Sequence, residues 1–212
     1  PTTEALSQGT RLGERYVIGS ELGRGATGIV YSAARVSGEG DVALKVIHSE
    51  LVADPQIRGR FKREAAILRR LTGEHVCPVI DFAELPDPKG GPALLCLALE
   101  KIPGPTLESI ERTEGPLEIA RAIQIMIEIC DALRVAHAEG VVHRDLKPAN
   151  VILVGGKRVV VVDFGLGKIV SGASTGTTGL TAHGMIFGTP TFMSPEQARG
   201  EELDARSDIY SA

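Results

Sequence analysis

The sequence predicts an α+β fold in two lobes, an antiparallel β-sheet carrying one helix followed by a mainly α-helical lobe. Three observations predict it. From Tyr16 to about Leu99 short apolar runs alternate with turns rich in Gly, Pro and Asp. A single segment of helical period interrupts them. After Gly104 the apolar residues recur every three or four positions instead of every two.

In chain order, residues 1–15 form an N-terminal extension, and the first lobe spans 16–99. Its strands are expected at Tyr16 to Leu22, Gly28 to Arg35, Asp41 to His48, Val76 to Phe82 and Ala93 to Leu99. The helix runs from about Asp54 to Leu71, with Pro55 in its first turn, Gly73 just past its end, and Ile57, Phe61, Ala65 and Leu68 on one apolar face. Residues 100–104 connect to the second lobe, 105–212. There Thr106 caps a short helix, and Pro116 opens a longer one whose apolar positions are Ile119, Ile123, Ile127, Cys130 and Leu133, ending at Gly140. Ser171 to Gly184 is dominated by Ser, Gly and Thr and reads as a mobile loop.

Composition narrows the functions. With 212 residues, 43% hydrophobic, the chain can bury a substantial core. A balance of 23 basic against 27 acidic residues, net −4, argues against nucleic acid as partner. The longest apolar stretches are broken within about ten residues, half of what spans a bilayer, so no membrane contact is expected from this segment. Cys77, Cys96 and Cys130 are odd in number and set in apolar runs, which predicts reduced core thiols of a cytosolic protein.

The chemistry is concentrated in a few motifs. Gly23-Arg24-Gly25-Ala26-Thr27-Gly28 is a G-x-G-x-x-G run, weak by itself because dinucleotide sites and chance turns share it. A dinucleotide site needs a helix next, whereas Ile29 to Ala33 reads as strand, so the glycines cap a hairpin whose backbone N–H groups can lie over phosphates, with Val30 facing a base. Lys45 stands in an apolar strand, Val42-Ala43-Leu44-Lys45-Val46; it either reaches solvent from an edge or meets a buried acid. Glu64 supplies that acid, because it shares a helix face with Phe61 and Leu68, where an unpaired carboxylate would cost several kcal/mol. The pair would hold the Lys45 ammonium toward nucleotide phosphates.

The most specific run is His143-Arg144-Asp145-Leu146-Lys147-Pro148-Ala149-Asn150, followed by Asp163-Phe164-Gly165. Val151 to Val154 and Val159 to Val162 read as a hairpin joined by Gly155-Gly156-Lys157-Arg158. Pairing Val154 with Val159 would set Asn150 opposite Asp163, two oxygen ligands suited to Mg²⁺. Asp145 would then lie near the metal without binding it, free to accept a hydroxyl proton.

These motifs, in this order, resemble the eukaryotic-like (Hanks-type) serine/threonine protein kinases, and bacterial members in particular. The resemblance implies a two-lobed protein kinase fold, a cytoplasmic catalytic domain, ATP and Mg²⁺ (or Mn²⁺) as cofactors, and proteins with Ser or Thr acceptors as substrates. It implies that Asp145 is the catalytic base, that Lys147 steadies the γ-phosphate, that Asn150 and Asp163 hold metal, and that Lys45 and Glu64 form the ion pair of the active arrangement. Gly23, Gly25 and Gly28 would cover the phosphates. Leu22, Val30, Ala43 and Ile152 would enclose adenine, with Leu99 as gatekeeper and backbone groups of Glu100 and Ile102 bonding the ring. Lys147 and the Gly188 to Glu196 stretch favour Ser/Thr over Tyr, with Thr189 contacting Asp145 and Lys147.

Arg144 would await a phosphate on Thr175, Thr177, Thr178 or Thr181, placed there by autophosphorylation between self-associated copies; alternatively those threonines only solubilise the loop. Asp208 would brace the catalytic loop, and Glu196 would pair with an arginine from helices expected beyond Ala212. In many bacterial relatives a linker, a membrane helix and a sensor domain follow. Two other classes remain as alternatives: a pseudokinase scaffold, which usually lacks a residue equivalent to Lys45, Asp145 or Asp163, and a small-molecule kinase, which commonly lacks the Lys147-Pro148 and Ser194-Pro195-Glu196 steps.

Overall fold

The computed structural model describes residues 5–52, 55–164 and 190–212. It divides into two compact units, Pro1–Arg69 with Pro78–Lys101, and Arg70–Cys77 with Ile102–Ala212. The division is not a single cut, because Arg70–Cys77 clusters with the second unit and the chain then returns.

The first unit is an antiparallel sheet of six strands: β1 (Arg11–Leu12), β2 (Tyr16–Gly25), β3 (Gly28–Arg35), β4 (Asp41–Ile47), β5 (Val79–Leu85) and β6 (Leu94–Glu100), in the order β1-β2-β3-β4-β6-β5. β1 escaped the sequence reading because two residues carry no alternation to detect. β2 runs on to Gly25, past its expected end at Leu22, and the glycine motif therefore lies in the hairpin itself. β5 begins at Val79 and not at Val76. Pro78 has no N–H to give a ladder, and the residues before it pair elsewhere: Val76 bridges Val161, and the Cys77 N–H donates to the Val161 carbonyl at 3.0 Å.

Strand alternation sorts this sheet into two faces. Tyr16, Ile18, Ile29, Tyr31, Ala33, Val42, Leu44, Val46, Cys96 and Ala98 form one buried apolar cluster. Burial pushes the Cys96 thiol up to about 12, the behaviour of an inert core thiol. On the opposite face the register sets Val30 beside Lys45, Lys45 beside Leu97, and Ala43 beside Leu99. Helix α1 (Pro55–Leu68) lies on that second face, since Phe61 packs on Phe82 with ring centroids 5.1 Å apart and Phe82 pairs with Leu97. Phe61, Ala65 and Leu68 are buried as the spacing predicts; the side chain of Ile57 lies outside the described residues.

The second unit holds α2 (Leu107–Glu114), α3 (Ile119–Ala138), the hairpin β7 (Val151–Val154) and β8 (Arg158–Val161), α4 (Pro195–Arg199) and α5 (Ala205–Ser211). The Thr106 hydroxyl caps α2 by accepting the Ser109 N–H at 3.2 Å. α3 starts at Ile119 with Glu118 as its cap, three residues after Pro116. Its buried stripe is Ile125, Ile129, Ala132, Leu133 and Ala136, whereas Ile119, Ile123 and Ile127 are 75%, 57% and 52% exposed and Cys130 is exposed. The expected face is therefore wrong except for Leu133. The helix is apolar on nearly every side, so three-four spacing fits more than one stripe, and packing against β8 and α5 selects among them.

The hairpin register also differs from expectation by one residue. Val154 pairs with Arg158 and Val151 with Val161. Gly155 and Gly156 both take positive φ, 60° and 71°, and the Lys157 N–H closes the turn on the Val154 carbonyl at 3.2 Å. Three residues thus suffice for a loop read as four, and the Arg158 guanidinium is held by the Glu74 carbonyl at 2.7 Å.

Candidate active site

In the first unit, the face that carries Val30, Ala43, Lys45 and Leu99 also receives α1. Lys45 is buried, and Glu64, three residues after the buried Phe61, is half-buried on the helix. Val30 and Ala43 are half-buried. Leu22, Gly23 and Gly25 are exposed on β2, and Glu100 is exposed at the end of β6. A β-carbon on Gly23 or Gly25 would meet nothing within 4 Å, so neither glycine is required by packing. Gly28 differs: its β-carbon would lie 2.2 Å from the Val46 carbonyl oxygen. Sequence alone could not separate these roles.

In the second unit the 143–150 segment is built around one buried carboxylate. Asp208, 1% exposed on α5, accepts the His143 N–H at 2.8 Å, the Arg144 N–H at 2.9 Å and the His137 Nε2–H at 2.7 Å. His143 is fully buried; its Nε2–H donates to the Val162 carbonyl at 2.9 Å, its Nδ1 accepts the Asp145 N–H at 3.3 Å, and its ring packs on Phe164 at 4.8 Å. Burial pushes the His143 imidazole below its ordinary 6.5, a shift that the Asp208 carboxylate and the Val162 carbonyl oppose only in part.

Arg144 takes a left-handed φ of 70°, and both of its peptide groups are held, the N–H by Asp208 and the carbonyl by the Gln197 Nε2–H at 2.5 Å. Gln197 also closes the capping box of α4 with Ser194. Ser-x-x-Gln is legible as a cap, but its reach to Arg144 is not. His137 had a weaker sign, a polar residue four after Leu133 in the buried stripe.

Asp145 is left partly open at the top of this scaffold. Its Oδ2 accepts the Lys147 ammonium at 2.8 Å, and the Asn150 Nδ2 donates to the Asp145 carbonyl at 2.7 Å and approaches Oδ2 at 3.5 Å. Because β7 and β8 are offset by one, Asn150 lies opposite Val162, whose N–H donates to the Asn150 carbonyl at 3.0 Å. Asp163 follows, like Arg144 a non-glycine residue with positive φ, 66°. The expected Asn150–Asp163 pairing is therefore replaced by Asn150–Val162, with Asp163 turned out of the ladder immediately after it. Ile152, half-buried on β7, lies beside the stretch after Ile102, itself half-buried: Thr106 bridges Ile152, and the Leu153 N–H donates to the Pro105 carbonyl at 3.0 Å.

Glu196 has a partner within the described residues that the sequence reading did not name. Its carboxylate accepts the Ser207 hydroxyl at 2.5 Å, and this bond holds it below the usual carboxylate range. Gly165, Thr175, Thr177, Thr178, Thr181 and Thr189 lie outside the described residues.

The protein kinase domain family model matches residues 16–212. The chain belongs to the protein kinase domain family. This kinase domain is 38% identical over 202 residues to the serine/threonine-protein kinase PknB of Mycobacterium tuberculosis, covering 95% of this chain and 32% of that protein. It is 37% identical over 207 residues to the serine/threonine-protein kinase pkn3 of Myxococcus xanthus, covering 96% and 37%. It thus spans about a third of the length of the curated relatives it matches. Among solved structures, the PknI kinase domain of Mycobacterium tuberculosis matches with a TM-score of 0.71 at 28% identity, covering 98% of this chain and 72% of that one. The relatives are bacterial serine/threonine kinases of the Hanks type, and the two-lobed kinase fold is the fold of this chain. Among the described residues no helix is long and apolar enough to cross a membrane.

Proposed function

We propose that the protein containing this kinase domain transfers the γ-phosphoryl group of ATP to serine and threonine hydroxyls of protein substrates, in the cytoplasm. The observation that carries this reading is the grouping of Asp145, Lys147 and Asn150 on a loop that Asp208 fixes from below. The Asp145 carboxylate is partly exposed and accepts an acceptor hydroxyl's proton, orienting its oxygen for attack. Lys147, already at Asp145, contributes a positive charge to the oxygens that gain negative charge during transfer.

Asn150 fits a cation ligand. Its Nδ2 is committed to the Asp145 carbonyl, which leaves Oδ1 as the acceptor for a hard ion. Asp163, turned outward by its positive φ, offers the second oxygen donor. Bound Mg²⁺ would supply charge neutralisation for the phosphates, and Mn²⁺ has the same donor preference. In the first unit, Lys45 and Glu64 act as an ion pair directed at the phosphates, and Gly23, Gly25 and Gly28 present bare backbone to them. In the same unit Leu22, Val30 and Ala43 serve as apolar contacts for adenine, and Glu100 bonds it through the backbone. Phosphate on Thr175, Thr177, Thr178 or Thr181, added between two copies, would give Arg144 an anionic partner, and Thr189 would contact Asp145 and Lys147.

The test is incubation of the full-length protein with γ-labelled ATP, Mg²⁺ and a generic basic protein, followed by phosphoamino-acid analysis. Label on serine and threonine is the expected result; label confined to tyrosine, or nucleotide binding with no transfer, would contradict it.

A further inference from the structure

The tip between β2 and β3 consists of Ala26 and Thr27, flanked by the paired Gly25 and Gly28. Strand pairing is not all that holds it. His48, the residue after β4, is only 5% exposed. Its backbone N–H donates to the Thr27 carbonyl at 3.1 Å, and its ring Nε2 lies 3.1 Å from the Gly25 carbonyl. A carbonyl oxygen only accepts, so Nε2 carries the hydrogen. Nδ1 is then the bare nitrogen, buried without a hydrogen-bond partner among the described residues. Gly28 is pressed against the same strand end, its missing β-carbon making room for the Val46 carbonyl.

The direction of one further donor follows from covalent geometry. No peptide bond among the described residues is cis, and in a trans peptide the C=O and the next N–H point in opposite directions. With the Gly25 carbonyl drawn to His48, the Ala26 N–H points away from the His48 ring. Backbone N–H groups at such a turn are donors suited to an anion.

We propose that His48 is a positioning residue for nucleotide binding: by donating from Nε2 to the Gly25 carbonyl it orients the Ala26 N–H toward the phosphates. This rests on the kinase reading above. It assigns the residue three positions beyond Lys45 a part in phosphate binding without contact to the phosphates themselves.

The experiment compares full-length wild type with His48→Leu, which removes the donor, and His48→Gln, whose amide nitrogen replaces Nε2. ATP dependence of the initial rate, Kd for a fluorescent ATP analogue with Mg²⁺, and thermal unfolding are measured for each. His48→Leu is expected to raise both KM for ATP and Kd about five- to tenfold with kcat within about twofold of wild type, and His48→Gln to restore both. Unchanged KM and Kd in His48→Leu, even with a lowered unfolding temperature, would show a merely structural role and overturn the proposal, as would failure of His48→Gln to rescue. If His48→Leu does not fold, the similar-sized unbranched pair His48→Gln and His48→Met carries the same comparison of donor against none. A wild type that binds the analogue but transfers nothing defeats the kinase reading alone, and the Kd values still decide the role of His48.

Discussion

Arg144 and Asp163 both carry a β-carbon into the left-handed region, at φ 70° and 66°, at a cost of about 1–2 kcal/mol each. For Arg144 the compensation is visible, since its N–H is held by Asp208 and its carbonyl by Gln197. The glycines of the β2–β3 tip divide at the same scale. Gly28→Ala would drive a β-carbon into the Val46 carbonyl and is expected to lower the thermal unfolding temperature by several degrees, whereas Gly25→Ala leaves it unchanged and raises KM for ATP. Thermal unfolding and ATP titration of the two variants, side by side, check both halves of that statement. His143 provides a pH dependence. Folded, its imidazole titrates below 6.5, and unfolded it returns to that value. As pH falls through about 6.5 the unfolded chain binds a proton that the folded chain refuses, so stability is full above that pH and declines below it, by at most about 1.4 kcal/mol per pH unit. Urea midpoints from pH 7.5 down to 5.5 should therefore fall less steeply in His143→Gln than in wild type.

Among the elements, the hairpin and α3 show where a sequence pattern underdetermines structure. The valines of β7 and β8 announce two strands, but their uniform apolarity cannot choose a register, and Gly155 and Gly156 decide it through their positive φ. The consequence reaches the site, because Asn150 faces Val162 and Asp163 is delivered one residue later, by a backbone turn. In α3 too many isoleucines satisfy the period. The structure separates them, and Ile129→Ala is expected to cost about 2–5 kcal/mol in urea unfolding while Ile123→Ala changes stability by less than about 0.5 kcal/mol. Comparable losses from both would mean that the exposed stripe is covered.

For the molecule as a whole, the fold class was legible because it rests on the change from alternating to helical period near Gly104, and the family was legible from motif order. Lys45 was singled out by its apolar strand, and Asp145, Lys147 and Asn150 by the motif run that contains them. What could not be read depends on contacts between residues far apart in sequence: the His137–Asp208 bond, the reach of Gln197 to Arg144, and the grip of His48 on the glycine tip. Arg70–Cys77 joined the second unit for the same reason, through Val161. The central claim is that Asp145 acts on the acceptor hydroxyl and takes no part in holding the nucleotide. The most direct test is phosphoryl transfer by full-length Asp145→Asn beside its Kd for ATP with Mg²⁺. The account predicts a fall in kcat of at least about a hundredfold with Kd within about twofold of wild type; a variant that keeps its turnover, or that loses transfer only because it no longer binds ATP, would contradict it.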